Sequence, residues 1–333
     1  MLWNIDSIKI LHVEPTSRCN LSCPQCARNI LGEQLNPDIK IGDLPVAWFE
    51  SLPTKFIRQL NKIYFCGDFG DPCANNKLLD IIKYLKSINY DLVIGINTNG
   101  SIRNTKWWRD CAKLLRHPED FVMFAIDGLE DTNHIYRKNS NWNKIIENVQ
   151  AFIDAGGNAL WEYLVFEHNK HQVIEAKQLA KQMGFNWFNT KVTRRFKDKT
   201  VDYIKAIEEN EIHDYEQMKI SCETLHKNEI YVSADGLILP CCHIGEELFD
   251  WSKKHNRKNL VDALGGDLEM YKLTNKSLED IINSFNKVSD TWLLSDYKSG
   301  KLPVCAETCG LINNKIIADT TWKERMELNA LDG

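Results

Sequence analysis

Short apolar runs alternate with longer stretches whose apolar residues recur every three or four positions. Ile8 to Glu14 reads as a short buried strand, and Pro45 to Leu60 as a helix opened by proline. Lys62 to Cys66 is a strand. Asn76 to Ile88 is helical, with Leu78, Leu79, Ile82 and Leu85 on one face. The alternation continues with a strand over Asp91–Ile96, a helix over Thr105–Arg116 and a strand over Asp120–Ile126. Trp142 to Ala155 is a helix that stops at Gly156-Gly157, followed by a strand over Asn158–Phe166. His171 to Met183 is a helix capped by Gly184, and Phe185 to Thr190 is the sixth strand. Repeated βα units force parallel pairing and right-handed crossovers. Six of them predict an α/β fold, a partial (β/α)6 TIM-like barrel over residues 1–195.

The pattern then changes. Between Thr193 and Ser221 charge dominates, with Arg194-Arg195-Phe-Lys-Asp-Lys199 and Glu208-Glu-Asn-Glu211, so 196–220 reads as a linker. The basic run is a solvated linker or a holder for an anionic substrate at the barrel mouth. Beyond it, Glu229–Ser233 and Leu237–Leu239 are strands joined at Asp235-Gly236, a strong hairpin signal. Residues 221–333 are expected to form a small α+β domain around this hairpin, ending in a helical tail.

Composition narrows the class. With 43% hydrophobic and 26% charged residues, the 333-residue chain should pack as a globular protein. A net charge of -5 and a pI near 6.0 argue against general nucleic-acid binding. No apolar run approaches a membrane span, and no signal peptide opens the chain. Eleven cysteines in a non-secreted chain point to metal ligands rather than disulfides, and to a reducing, cytoplasmic location.

Chemistry concentrates after the first strand. Cys19, Cys23 and Cys26 form C-x3-C-x2-C within eight residues. Three thiolates at this spacing can hold three irons of a [4Fe–4S] cluster and leave the fourth open to a ligand. A structural zinc site is the alternative, but zinc usually takes four N or S ligands, and no fourth follows closely. In α/β barrels, loops at the C-terminal ends of strands are where active sites are built. In the second half, Cys222, thirteen residues, Gly236, four residues and Cys241 precede Cys305 and Cys309. The hairpin brings Cys222 and Cys241 toward one end, and four separated cysteines can close a second cluster. Cys242 competes with Cys241 as ligand, and zinc is the alternative metal.

These features resemble the radical S-adenosylmethionine (radical SAM) superfamily. Its signature is this cysteine loop after the first strand of a partial barrel. The resemblance implies that the open iron binds the amino and carboxylate groups of SAM. Gly67-Asp68-Phe-Gly70-Asp71-Pro72 looks like the family's Gly-Glu-Pro loop, whose backbone binds the SAM amino group, with Asp71 where glutamate is more common. Asn97-Thr98-Asn99-Gly100 is similar to a segment near SAM. Ala125-Ile-Asp127-Gly128, with Arg137 following, looks like a stretch whose arginine can pair with the SAM carboxylate. Ala125 stands for the usual serine, and Gln25 where an aromatic often meets adenine. The C-x13-G-x4-C hairpin with its later cysteine pair resembles the twitch domain, a shortened relative of the SPASM domain with one auxiliary [4Fe–4S] cluster.

Weaker candidates stand beside these. Glu162 interrupts an apolar strand, facing either ribose hydroxyls or substrate, or outward under the helices. His168 and Asn169 close that strand and are candidates for the site wall. Cys66 and Cys73 bracket the Gly-Asp-Pro loop and are packing residues or substrate contacts; Cys111 reads as core. The resemblance implies reductive cleavage of SAM to methionine and a 5′-deoxyadenosyl radical, which takes hydrogen from an unactivated C–H bond. It also implies a low-potential donor such as flavodoxin or ferredoxin. Substrate remains open between a peptide or protein side chain and a small molecule such as a sugar or aminocyclitol. A non-catalytic electron-transfer protein would leave the SAM-loop segments without purpose. The first strand begins within ten residues, so no separate leader-binding domain is expected before it.

Overall fold

The computed structural model describes residues 2–192, 214–312, 314–317 and 322–328. The charged run assigned to the linker falls largely outside them. Six parallel strands appear in the expected order: β1 (Ile10–Val13), β2 (Lys62–Phe65), β3 (Val93–Thr98), β4 (Phe121–Ala125), β5 (Ala159–Leu164) and β6 (Trp187–Lys191). Helices follow where the apolar periodicity placed them: α3 over Leu78–Ile88, α4 over Thr105–Leu114, α5 over Trp142–Asp154 and α6 over Val173–Met183. Asn104 and Asn141 cap α4 and α5 by accepting a backbone N–H, and Gly184 ends α6 in the left-handed conformation. The expected helix over Pro45–Leu60 is two, α1 (Val46–Glu50) and α2 (Thr54–Gln59). Pro53 divides them, because proline lacks an N–H and disfavours a helical residue before it.

The second half differs from expectation in two ways. The hairpin strands β7 (Glu229–Val232) and β8 (Ile238–Leu239) pair antiparallel as foreseen. Yet β7 also pairs in parallel with β1, matching His12 with Tyr231, so the hairpin extends the barrel sheet. The tail is a strand rather than helical: β9 (Trp322–Glu327) pairs antiparallel with β6. The full sheet runs β8-β7-β1-β2-β3-β4-β5-β6-β9. A polar, charged strand at a sheet edge carries little of the apolar periodicity that identifies buried elements.

Alternation along the strands sets the site. Leu11, Val13, Ile63, Phe65, Ile94, Ile96, Val122, Phe124, Trp161 and Tyr163 are buried in the core that α3–α6 cover. The intervening residues, among them His12, Tyr64, Asn97, Met123 and Glu162, line the barrel interior.

Candidate functional site

The loop after β1 brings Cys19, Cys23 and Cys26 to the wall of a cavity of about 550 Å³, a size usual for cofactor sites. Cys23 is buried, and Cys19 and Cys26 are partly so. Burial pushes the Cys23 thiol up to about 11, against the pull of the Arg137 guanidinium, and pushes Cys19 higher still. Such thiols stay neutral alone and become good thiolate ligands only beside a metal cation. Among the described residues, no three His, Cys, Asp or Glu side chains converge tightly enough for a single ion; the thiols stand around a cavity instead. An all-sulfur set of three around an open space fits an iron–sulfur cluster with one iron free.

Beside the thiols lies the turn after β2, with the Cys26 sulfur 3.8 Å from the Asp68 carbonyl oxygen. Gly67, Asp68, Gly70 and Asp71 reach the same cavity. Side chains are excluded at both glycines: a Cβ at Gly70 would lie 1.8 Å from the Thr16 carbonyl oxygen, and one at Gly67 2.1 Å from that of Gly70. The Asp71 carboxylate serves the protein itself. It accepts from the N–H groups of Cys73 (2.9 Å) and Asn99 (2.8 Å), the Thr98 hydroxyl (3.0 Å) and the Asn99 amide (2.7 Å). The loops after β2 and β3 are thereby locked together, with Thr98 and Asn99 also lining the cavity. The Asn99 amide also donates to Asn20 at 3.0 Å and lies 3.8 Å from the Cys19 sulfur. Pro72 is buried under this loop and absent from the cavity wall.

Arg137 lines the cavity, and its Nε donates to Asp127 Oδ2 at 2.5 Å. Burial alone would weaken the guanidinium charge; Asp127 first, with Cys23 and Tyr136, more than offsets it. Asp127 itself is fully buried and accepts the Leu164 N–H at 2.8 Å, so it braces Arg137 and does not reach the cavity. Glu162 does face the cavity, 4.0 Å from Lys191 Nζ. Three further sequence candidates lie outside the wall. Gln25 is buried within the cysteine loop. Asn169 donates to the Asp127 and Leu164 carbonyls, both at 2.9 Å. His168 stacks on Phe166 with centroids 5.3 Å apart, and burial depresses its pKa.

A second cavity of about 530 Å³ is lined by Cys222, Cys241, Cys242, Cys305 and Cys309. Cys222 precedes α7 (Glu223–Lys227), Cys241 caps α8 (Cys242–Phe249), and Cys305 and Cys309 lie on α9 (Pro303–Cys309). Burial raises the thiols of Cys241 and Cys305, and the neighbouring thiols add to it: Cys242 most, then Cys305, Cys222 and Cys309 act on Cys241, and Cys309 and Cys222 on Cys305. Cys242 instead interacts with His12, and burial with the Asp68 charge lifts it to about 12. The two cavities share Tyr64, Met123, Lys191, His243, Val304 and Thr308 in their walls. They adjoin in the barrel interior, each with its own thiol set in its wall.

The radical SAM superfamily model matches residues 13–180, half of the chain. This protein belongs to the radical SAM superfamily. It is 29% identical over 131 residues to the tungsten-containing aldehyde ferredoxin oxidoreductase cofactor-modifying protein of Pyrococcus furiosus. The match covers 38% of this chain and 33% of that relative, so the chain spans about a third of its length. Among solved structures, anSMEcpe with bound AdoMet superposes with a TM-score of 0.53 at 14% identity, covering 84% of this chain and 92% of the other. Streptococcus suis SuiB bound to S-adenosylmethionine gives 0.52 at 13%, covering 72% of this chain and 61% of SuiB. At such identities the likeness is one of fold. The radical SAM enzyme described here therefore shares a barrel with proteins solved with SAM bound.

Sequence reading missed Glu14 and Tyr231. Glu14, fully buried, accepts the N–H groups of Phe69 (2.7 Å) and Gly70 (2.8 Å) and the Tyr231 hydroxyl (3.0 Å). A carboxylate ending a buried strand was the available signal. Burial raises its pKa from 4.5 to about 7, although these donors and His12 oppose the rise. The value in the fold thus lies above that of the unfolded chain. Its contribution to stability is fully present below the ordinary value and is lost as pH rises through the folded value. Glu14→Gln keeps the acceptor without the charge. It should stabilise the fold by about 1–3 kcal/mol at about pH 8, the accompanying rise in Tm shrinking toward zero near the unfolded value. Equal shifts at both pH values in thermal melts would show that Glu14 titrates normally.

Proposed function

We propose that this radical SAM enzyme carries two [4Fe–4S] clusters. Cys19, Cys23 and Cys26 hold the SAM-binding one, and Cys222, Cys241, Cys305 and Cys309 an auxiliary one of the twitch type. The observation that carries this reading is a thiol set in the wall of each of two adjoining cavities. A substrate seated between Tyr64, Met123 and Lys191 has one set on either side. When bound and reduced, SAM and its cluster supply a 5′-deoxyadenosyl radical that removes hydrogen from the substrate.

The chain's own residues orient and shield. The Gly67–Pro72 backbone receives the SAM amino group, with Asp71 fixing the loop. Arg137, held by Asp127, offers its remaining N–H groups to the SAM carboxylate. Glu162 takes hydroxyl groups of the ribose or substrate. Cys241 is the auxiliary ligand, since Cys305, Cys222 and Cys309 are close enough to act on its thiol, whereas Cys242, in the same cavity wall, is hydrogen-bonded with His12. A flavodoxin or ferredoxin in a reducing cytoplasm serves as electron donor. The substrate is a peptide or protein side chain; a structural relative was solved with its precursor peptide. No described helix is long and apolar enough to cross a membrane.

Anaerobic reconstitution should give about eight irons and eight sulfides per chain, falling to about four in a Cys222→Ala, Cys305→Ala variant. Tightly bound zinc without charge-transfer absorption would refute the cluster assignment. For the substrate, formation of 5′-deoxyadenosine should accelerate on adding a peptide pool. Acceleration by a low-mass metabolite fraction alone would point to the small-molecule reading.

A further inference from the structure

The structure joins the two halves of the site through a buried polar contact. We propose that Glu14 and Tyr231 are positioning residues through which the helix carrying the auxiliary cysteine fixes the loop that binds SAM. This rests on the assignment of the Gly67–Pro72 loop to SAM.

The chain of contacts is short and almost wholly buried. Cys241 caps α8, and Gly245 lies one turn into that helix. A Cβ at Gly245 would stand 2.5 Å from Cε1 of Tyr231, so the helix backbone rests directly on the phenol ring. Tyr231 is wholly buried on β7, and its hydroxyl donates to Glu14 Oε2 at 3.0 Å. The other carboxylate oxygen of Glu14 takes the N–H groups of both Phe69 and Gly70. Those two amides belong to the loop facing the cysteines.

Packing alone does not call for these polar groups. β1 and β7 are already joined by their backbone ladder, and phenylalanine would fill the ring's space. Burying a carboxylate and a phenol is costly unless every donor meets an acceptor. Here all three donors converge on one side chain, and two come from the middle of a loop whose far end is held separately by Asp71. The arrangement sets the loop's height against β1. It also makes that height depend on where α8, and therefore Cys241, lies.

The test uses the full reconstituted chain and two readouts. The first is hydrogen exchange of the segment containing Phe69 and Gly70 without SAM. The second is equilibrium binding of SAM with iron content measured in parallel. Glu14→Ala should speed exchange in this segment and weaken SAM binding about 10–100-fold at unchanged iron content, as expected for losing hydrogen bonds to a charged group. Tyr231→Phe should weaken binding about 3–10-fold, Gly245→Ala similarly, and the double variant no more than the worse single one. Glu14→Gln should bind within about threefold of the parent, because its amide oxygen still accepts both N–H groups. Tyr231→Phe and Gly245→Ala with unaltered exchange would overturn the relay. Faster exchange with unaltered SAM affinity would overturn its positioning role. A parent protein that keeps its iron yet binds no SAM would instead overturn the loop assignment, and the proposal with it.

Discussion

A variant with Cys19→Ala, Cys23→Ala and Cys26→Ala should form no 5′-deoxyadenosine above background when incubated with SAM and a strong reductant. Among the described residues, these three and Cys66 are the only cysteines in the wall of the cavity that the Gly67–Pro72 loop lines. No other sulfur set can place an open iron there. About four irons should remain, held by the second thiol set in its own cavity. Chromatography of the reaction and iron analysis of the same sample read both effects. Continued SAM cleavage would mean that the cofactor binds elsewhere. Loss of all iron with an intact fold would mean that the second set holds none by itself.

Arg137→Ala should lose both stability and SAM affinity, and the first loss is the larger. The Asp127 side chain is wholly inaccessible and the Arg137 side chain is 18% exposed. Removing the arginine strands a buried carboxylate, which costs about 3–5 kcal/mol. Combining Arg137→Ala with Asp127→Asn should recover most of that stability, since the amide needs no counter-charge and can still accept the Leu164 N–H. SAM affinity should stay low in the double variant if the guanidinium also meets the cofactor. Thermal melts separate the two roles from SAM titrations. Affinity restored along with stability would assign Arg137 to scaffolding alone.

The sequence showed the six βα units because each strand alternates with an amphipathic helix, and that pattern survives without any knowledge of neighbours. It also showed the cysteine loop, since sulfur spacing within eight residues is local. Other features depended on distant pairing. Nothing near Tyr231 reveals that β7 lies against β1, so a hairpin that belongs to the barrel sheet read as a separate unit. The same gap hid Glu14: its partners Phe69, Gly70 and Tyr231 are 55, 56 and 217 positions away. Asp127 was assigned a cofactor contact from its place in a motif, whereas its oxygens face Arg137 and Leu164. A motif fixes which residue stands at a strand end, but neighbouring loops fix where its side chain points.

The placement of β7 and β9 bears on how the molecule is made. The six barrel strands are contiguous in the first 191 residues, yet β1 at one edge and β6 at the other stay open until strands from the second half arrive. A nascent chain released at that point would present two unpaired strand edges, the usual template for sticking to another chain. β1 is also the strand that leads into the cysteine loop. Its outer neighbour is synthesised more than two hundred residues later, so the strand that carries the cysteine loop stays open on that side until then.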